Sequence, residues 1–204
     1  MRKNNKGFSL IELSIVLIIM GLLIAGVSSG ASLIKSAQLR SVATEVSSYR
    51  TAYNTYYAQF GKVPGADDSS DPTVISSGAW SALSDEGIID KKPTVVTEEG
   101  SNKEYVDSKF GKSSRWYLKN AGTSFTVSDF ASMNVLILSG EIDFSKGVLT
   151  ASEAGQIDDK VDDGKANQGI VRGVKYAEST ASTVSSYGTD NTTRDHSIVV
   201  KLDF

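Results

Sequence analysis

At 204 residues with 40% hydrophobic positions, the chain can hold one folded domain and an accessory segment, but hardly two full domains. A net charge of −3, with no basic stripe interleaved with aromatics, argues against a nucleic-acid partner. The absence of cysteine excludes a disulfide framework and any thiolate metal site, and leaves the redox compartment open.

Three basic residues, Arg2, Lys3 and Lys6, precede a long apolar run. Without them 18 basic residues face 24 acidic ones, a charge of −6, and an acidic Ser/Thr-rich surface suits the solubility of an exported protein. The run itself, residues 8–27, reads FSLIELSIVLIIMGLLIAGV and carries a single charge, Glu12. At about 1.5 Å of rise per residue such a helix spans roughly 30 Å, the thickness of a bilayer's hydrocarbon core. Positive residues on one flank only place the N-terminus on the cytoplasmic side.

Three readings fit this start: a secretory signal peptide, with small residues between Ala25 and Ala31 as a cleavage site; a plain single-pass anchor; and a prepilin leader. Two features distinguish them. Glu12 lies in the first third of the apolar run, where a carboxylate costs about 2.5–3.5 kcal/mol and normally has a partner and a purpose. The helical pattern also continues past the point where a signal peptide would end, since no proline occurs between Phe8 and Phe60. Leu39, Val42, Val46, Tyr49, Tyr53, Tyr56 and Phe60 recur at alternating spacings of 3 and 4, one apolar stripe on a continuing helix. Gly61 and Pro64 supply its stop signals.

Lys6-Gly7-Phe8-Ser9-Leu10-Ile11-Glu12-Leu13 resembles the class III signal of type IV pilins and type II secretion pseudopilins. The resemblance rests on a basic leader, a glycine, a phenylalanine and a glutamate at a fixed offset inside an apolar span. It implies cleavage between Gly7 and Phe8 by a prepilin peptidase, N-methylation of Phe8, and Glu12 as the fifth residue of the mature chain. The new amine of Phe8 and the Glu12 carboxylate of a neighbouring subunit would then offset each other's charge in a low-dielectric surround and set axial register. The bland alternative is that Glu12 snorkels to the interface, although its stem is short. Gly26 and Gly30 form a G-x-x-x-G pair that permits close helix packing, or equally weakens the helix. The proline common in this part of the family's helix is absent here, and residues 26–30 are the candidate stretch for loosening.

Beyond Phe60 a turn-rich exit, residues 61–68, leads to a short helix at Ala79–Leu83 ended by Gly87. Trp80 and Leu83 at helical spacing read as core. Residues 91–108 look like a polar loop without periodicity. Strands are predicted at 115–119, 124–127 and 134–138, with turns at Asn120-Ala121-Gly122 and Ser139-Gly140. Thr150-Ala151-Ser152-Glu153 fits a capping box opening a short helix with Ala154, Ile157 and Val161 on one face and Gly164 at its end. Residues 169–176 and 198–202 read as two more strands, and 178–195 as a Ser/Thr/Asn-rich surface loop.

Chemistry is sparse. Asp158-Asp159-Lys160-Val161-Asp162-Asp163-Gly164 offers oxygens of the kind calcium takes, but it is no EF-hand: counted from Asp159, Val161 and Ile170 fall where ligands belong. These acids read as solvated carboxylates around a helix end, and no metal site is assigned. His196, the lone histidine, reads as a loop residue at the edge of the last strand, because no serine stands in a nucleophile-elbow context. No catalytic residue or cofactor is called for.

The expected fold is α+β and pilin-like, a long N-terminal helix packed by its second half on an antiparallel sheet. Its expected divisions are a leader (1–7), a transmembrane and filament-core helix (8–30), an amphipathic continuation (31–60) and a globular domain (61–204). By resemblance the chain is a filament subunit of a type IV pilus or secretion pseudopilus. Its partners would be other pilin-like subunits, the prepilin peptidase and an inner-membrane assembly platform, with the folded domain periplasmic or extracellular. The rival class is an exported or anchored binding protein or enzyme behind an ordinary signal peptide.

Overall fold

Nothing between Leu10 and Phe60 interrupts a helix. The segment lacks proline, and its hydroxyl side chains fold back onto the preceding turn, as Ser14 does to the Ile11 carbonyl and Thr51 to that of Ser47. In the computed structural model this stretch is one α-helix, α1, Leu10–Phe60. The structure describes residues 7–67, 71–98, 101–111, 113–122, 130–141, 146–177 and 180–202. The chain divides into two units, Met1–Gln38 and Leu39–Phe204.

In the first unit the apolar side chains from Phe8 to Ile34 are exposed all round the helix. Among the described residues α1 alone is long and apolar enough to cross a membrane.

In the second unit the helix is one-sided. Leu39, Val42, Val46, Tyr49, Tyr53 and Tyr56 are buried, as their spacing predicts. Phe60, the last member of that stripe, is 43% exposed: it lies in the final turn against the ring of Tyr56, 4.5 Å between centroids, and outside the core. A short helix follows, α2 (Ala79–Asp85), with Trp80 and Leu83 fully buried as expected and Gly87 just beyond its end. The ring of Tyr49 meets Trp80 and Trp116 edge-on, at 4.9 and 6.1 Å, so the tyrosine stripe forms one wall of the core.

The sheet has seven strands: β1 (Thr94–Glu98), β2 (Ser101–Asp107), β3 (Arg115–Asn120), β4 (Asn134–Ser139), β5 (Val171–Ala177), β6 (Thr180–Thr183) and β7 (His196–Lys201). All pairings are antiparallel and the spatial order is β1-β2-β3-β4-β7-β5-β6. A third helix, α3 (Ala151–Val161), lies between β4 and β5 in sequence. Central β4 is buried along its whole length: Leu136 and Leu138 join the α1 side of the core, while Val135 and Ile137 join a second cluster with Tyr117, Phe130 and Val199. Burial on both faces explains why β4 and β7 read as unbroken apolar runs rather than alternating ones.

Two segments depart from expectation, and a third cannot be compared. Residues 91–108 are not a polar loop but carry the β1–β2 hairpin, in register Thr94↔Tyr105 and Val96↔Lys103. Tyr105 and Val106 point to opposite faces and enter the two core clusters, so the alternation is real but only two apolar residues deep in β2. The Ser/Thr/Asn-rich 178–195 contains β6, an edge strand held by backbone pairing to β5. The strand expected at 124–127 lies outside the described residues.

Candidate functional site

The assembly residues expected from the sequence fall in the first unit. Ser9 precedes α1 and acts as its N-cap: its hydroxyl accepts from the Ile11 N–H at 3.4 Å and its carbonyl from the Leu13 N–H at 3.2 Å. Glu12 reaches back, Oε2 accepting from the Ser9 N–H at 2.8 Å. The acid thus satisfies a donor that the helix start leaves open, and its charge lies at the favourable end of the helix dipole. This role is written in the Ser9-x-x-Glu12 spacing, a capping-box pattern. Phe8 is 89% exposed beside it. Gly26 and Gly30 sit one turn apart inside the helix, and a β-carbon at either would meet nothing within 4 Å. The stretch 26–30 is helical.

Composition alone does not reveal one heavily bonded acid of the folded unit. Glu45, on the buried side of α1 and 5% exposed, accepts from Lys91 Nζ (2.9 Å), Ser108 Oγ (2.8 Å), Trp116 Nε1 (2.9 Å) and the Lys109 N–H (3.2 Å). Lys91 also donates to the Tyr49 hydroxyl and the Asp107 carbonyl. Burial pulls Lys91 down, but its bonds to Tyr49 and Glu45 outweigh that and hold it above the usual lysine range. Glu45 stands three residues after Val42 and four before Tyr49, on the apolar stripe, and a charge at that spacing was the available signal.

His196 is not a loop residue. It opens β7 at 6% exposure, its Nδ1 lies 2.6 Å from Asp195 Oδ1, and its backbone closes bonds with Leu149 in both directions. Lys175 lies 3.4 Å from the other Asp195 oxygen. The strand pairs with β4 and β5 on either side, which explains the burial.

The acids at the end of α3 are likewise not all solvated. The capping box forms as expected, Thr150 N–H to Glu153 Oε2 at 2.8 Å and Glu153 N–H to Thr150 Oγ1 at 3.3 Å. Asp158 is fully buried two turns further on. Burial raises its pKa to about 6, with Asp163 and Asp162 adding to the shift and Tyr187 opposing it. Asp162 ends the helix, and its carboxylate accepts from the Ile170 and Val171 N–H groups at the entry to β5. Gly169, at φ +69°, makes this approach possible, because a β-carbon there would overlap Asp162 Oδ2. Asp163 Oδ1 accepts from the Lys165 N–H at 2.9 Å.

Residues 2–28 match the prokaryotic N-terminal methylation motif. The chain therefore carries that motif, on a fold in which a long N-terminal helix packs against a seven-stranded antiparallel sheet. Among solved structures it is similar to the major type IV pilin PilA1 from Clostridium difficile, at 18% identity and a TM-score of 0.46, over 84% of this chain and 98% of that one. No curated protein matches the sequence.

Proposed function

We propose that the chain is a structural subunit of a type IV pilus or of a secretion pseudopilus-like filament, and not an enzyme. The observation that carries this reading is the methylation motif at residues 2–28 leading into a helix whose apolar side chains are exposed on every side. Exposed apolar surface on that scale requires a lipid or protein partner. A bilayer before assembly and the helices of other subunits afterwards would supply the two in turn.

In this reading residues 1–7 are a leader, removed between Gly7 and Phe8 by a prepilin peptidase that then methylates Phe8. Residues 8–30 anchor the subunit in the bacterial inner membrane with the N-terminus inside, and later pack in the filament core. Residues 31–60 continue the helix, and 61–204 form the domain outside the membrane. Glu12 pairs with the Phe8 amine of a neighbour, while Gly26 and Gly30 allow helices to approach closely. An inner-membrane platform adds each subunit.

Mass spectrometry of the mature N-terminus tests the proposal. A chain beginning at N-methylated Phe8 is expected. A start near Ser28 or Ser32 would remove the filament reading and leave an exported protein behind an ordinary signal peptide.

A further inference from the structure

One pocket of the folded unit gathers cations that the sequence scatters. The β2–β3 connection, residues 108–114, reads SKFGKSS, with lysines at 109 and 112 in a chain whose net charge is −3. It meets the segment that follows β4 and the residue two before β7, and a pocket of about 340 Å³ opens where they join. Phe110, Ser113, Lys146, Val148 and Arg194 stand in its wall. That volume lies at the low end of small-molecule pockets, about 300–1,000 Å³, so it holds one compact group and not a long chain.

Arg194 is fixed in that wall before any ligand arrives. Its guanidinium lies over the Phe110 ring, 5.4 Å from the centroid. Nη1 donates to the Val148 carbonyl at 2.7 Å, and Nη2 to Glu153 Oε1 at 3.3 Å. Glu153 is fully buried and accepts from the Thr150 N–H, so it holds the guanidinium from the protein side. A guanidinium carries five N–H donors, these bonds use two, and the arginine side chain is 54% exposed. Lys146 pairs with Glu141 at 3.4 Å, both side chains at least half exposed, and such a surface pair yields readily to a better acceptor. The exposed Ser113 hydroxyl makes no hydrogen bond among the described residues.

Charge and shape together select the ligand. Each cation already faces a glutamate, so the surplus of positive charge is small and suits a single negative charge better than the two of a phosphate. A planar fork with its open side outward matches a carboxylate, which accepts two parallel N–H bonds. A nucleic acid would need a basic stripe along its phosphates, and this is a single pocket. The serine hydroxyl beside the carbon surface of Val148 and Phe110 suits a ring with hydroxyls on its rim and C–H groups on its faces. We propose that this pocket binds an acidic sugar of the uronic acid class, the terminal unit of a glycan, with Arg194 taking the carboxylate and Lys146 and Ser113 the groups around it. The inference stands on the folded unit and does not depend on the filament reading.

The full chain in detergent is titrated with sodium glucuronate by isothermal titration calorimetry, with glucose, sodium acetate and a polyglutamate peptide titrated in parallel. Glucuronate is expected to bind with a Kd of about 1 mM, and glucose and acetate at least about tenfold more weakly. Arg194→Lys keeps the charge but loses the fork, and should weaken glucuronate binding about tenfold. Lys146→Gln should weaken it about threefold. No heat of binding at concentrations well above the expected Kd, or binding unchanged in both variants, overturns the proposal. Acetate or glucose binding as tightly as glucuronate, or the peptide binding more tightly, overturns the choice of an acidic sugar. If Arg194→Lys does not fold, Lys146→Gln decides, because Lys146 is exposed and outside the core.

Discussion

Glu45 shows how far one buried acid can hold a helix to a sheet. Its carboxylate gathers donors from the segment before β1 (Lys91), the β2–β3 connection (Ser108, Lys109) and β3 (Trp116), all converging on one position of α1. Replacing Glu45 by alanine leaves the indole N–H, the serine hydroxyl and part of the lysine's coordination without acceptors. Breaking a buried charge network from one side costs about 3–5 kcal/mol. Glu45→Ala is therefore expected to lower the Tm of the full chain by roughly 10 °C, read by circular dichroism in detergent. Glu45→Gln keeps an acceptor for Trp116 but turns an amide toward the other donors, so it should fall between the two. Equal stability of Glu45→Ala and the unaltered chain would show that the network contributes nothing net. Lys91 is 38% exposed on its side chain, so the mutation on its side, Lys91→Ala, is expected to cost less.

At the scale of elements, what the sequence revealed depended on how much signal each segment carries. The fifty-one residues of α1 and the four-residue capping box of α3 announce themselves, one by length and periodicity, the other by hydroxyl and carboxylate at fixed offset. Thr150→Ala should cost about 1 kcal/mol and Thr150→Ser almost nothing, measured by denaturant midpoints at constant m-value. A Thr150→Ala variant as stable as the unaltered chain would mean that Glu153, buried and paired with Arg194 at 3.3 Å, holds the helix start by itself. Strands β1 and β6 were hidden for a different reason. β1 is short, with Val95 49% exposed, and β6 is four residues of Thr, Ala and Ser at the sheet edge. Their stability comes from backbone pairing to a neighbour already in place, which no pattern within the strand reports. The same holds for the sites. The methylation motif of residues 2–28, in which Gly7, Phe8 and Glu12 fall, is linear and shows in the sequence directly, whereas the burial of Asp158 follows from packing beside Tyr187, twenty-nine residues away in sequence.

For the molecule as the filament subunit proposed above, the question is what Glu12 does that justifies a carboxylate in an apolar span. Within one chain it already accepts from the Ser9 N–H, so helix capping alone accounts for part of its presence. Cleavage before Phe8 would add a charged amine one residue from that N–H, and a neighbour's Glu12 could then exchange its cap for an ion pair. Two substitutions separate the roles. Glu12→Gln keeps a side-chain carbonyl that can cap Ser9 but removes the charge, and Glu12→Ala removes both. If charge pairing sets the register, both variants are processed normally and both lose at least tenfold of their sheared filament fraction, since an unpaired amine in a low-dielectric surround is costly. If capping is the whole role, Glu12→Gln assembles like the unaltered chain and only Glu12→Ala fails. Immunoblots of sheared and cell-bound fractions, compared with the amount of processed subunit, read the outcome. Normal filaments from Glu12→Ala would exclude both roles.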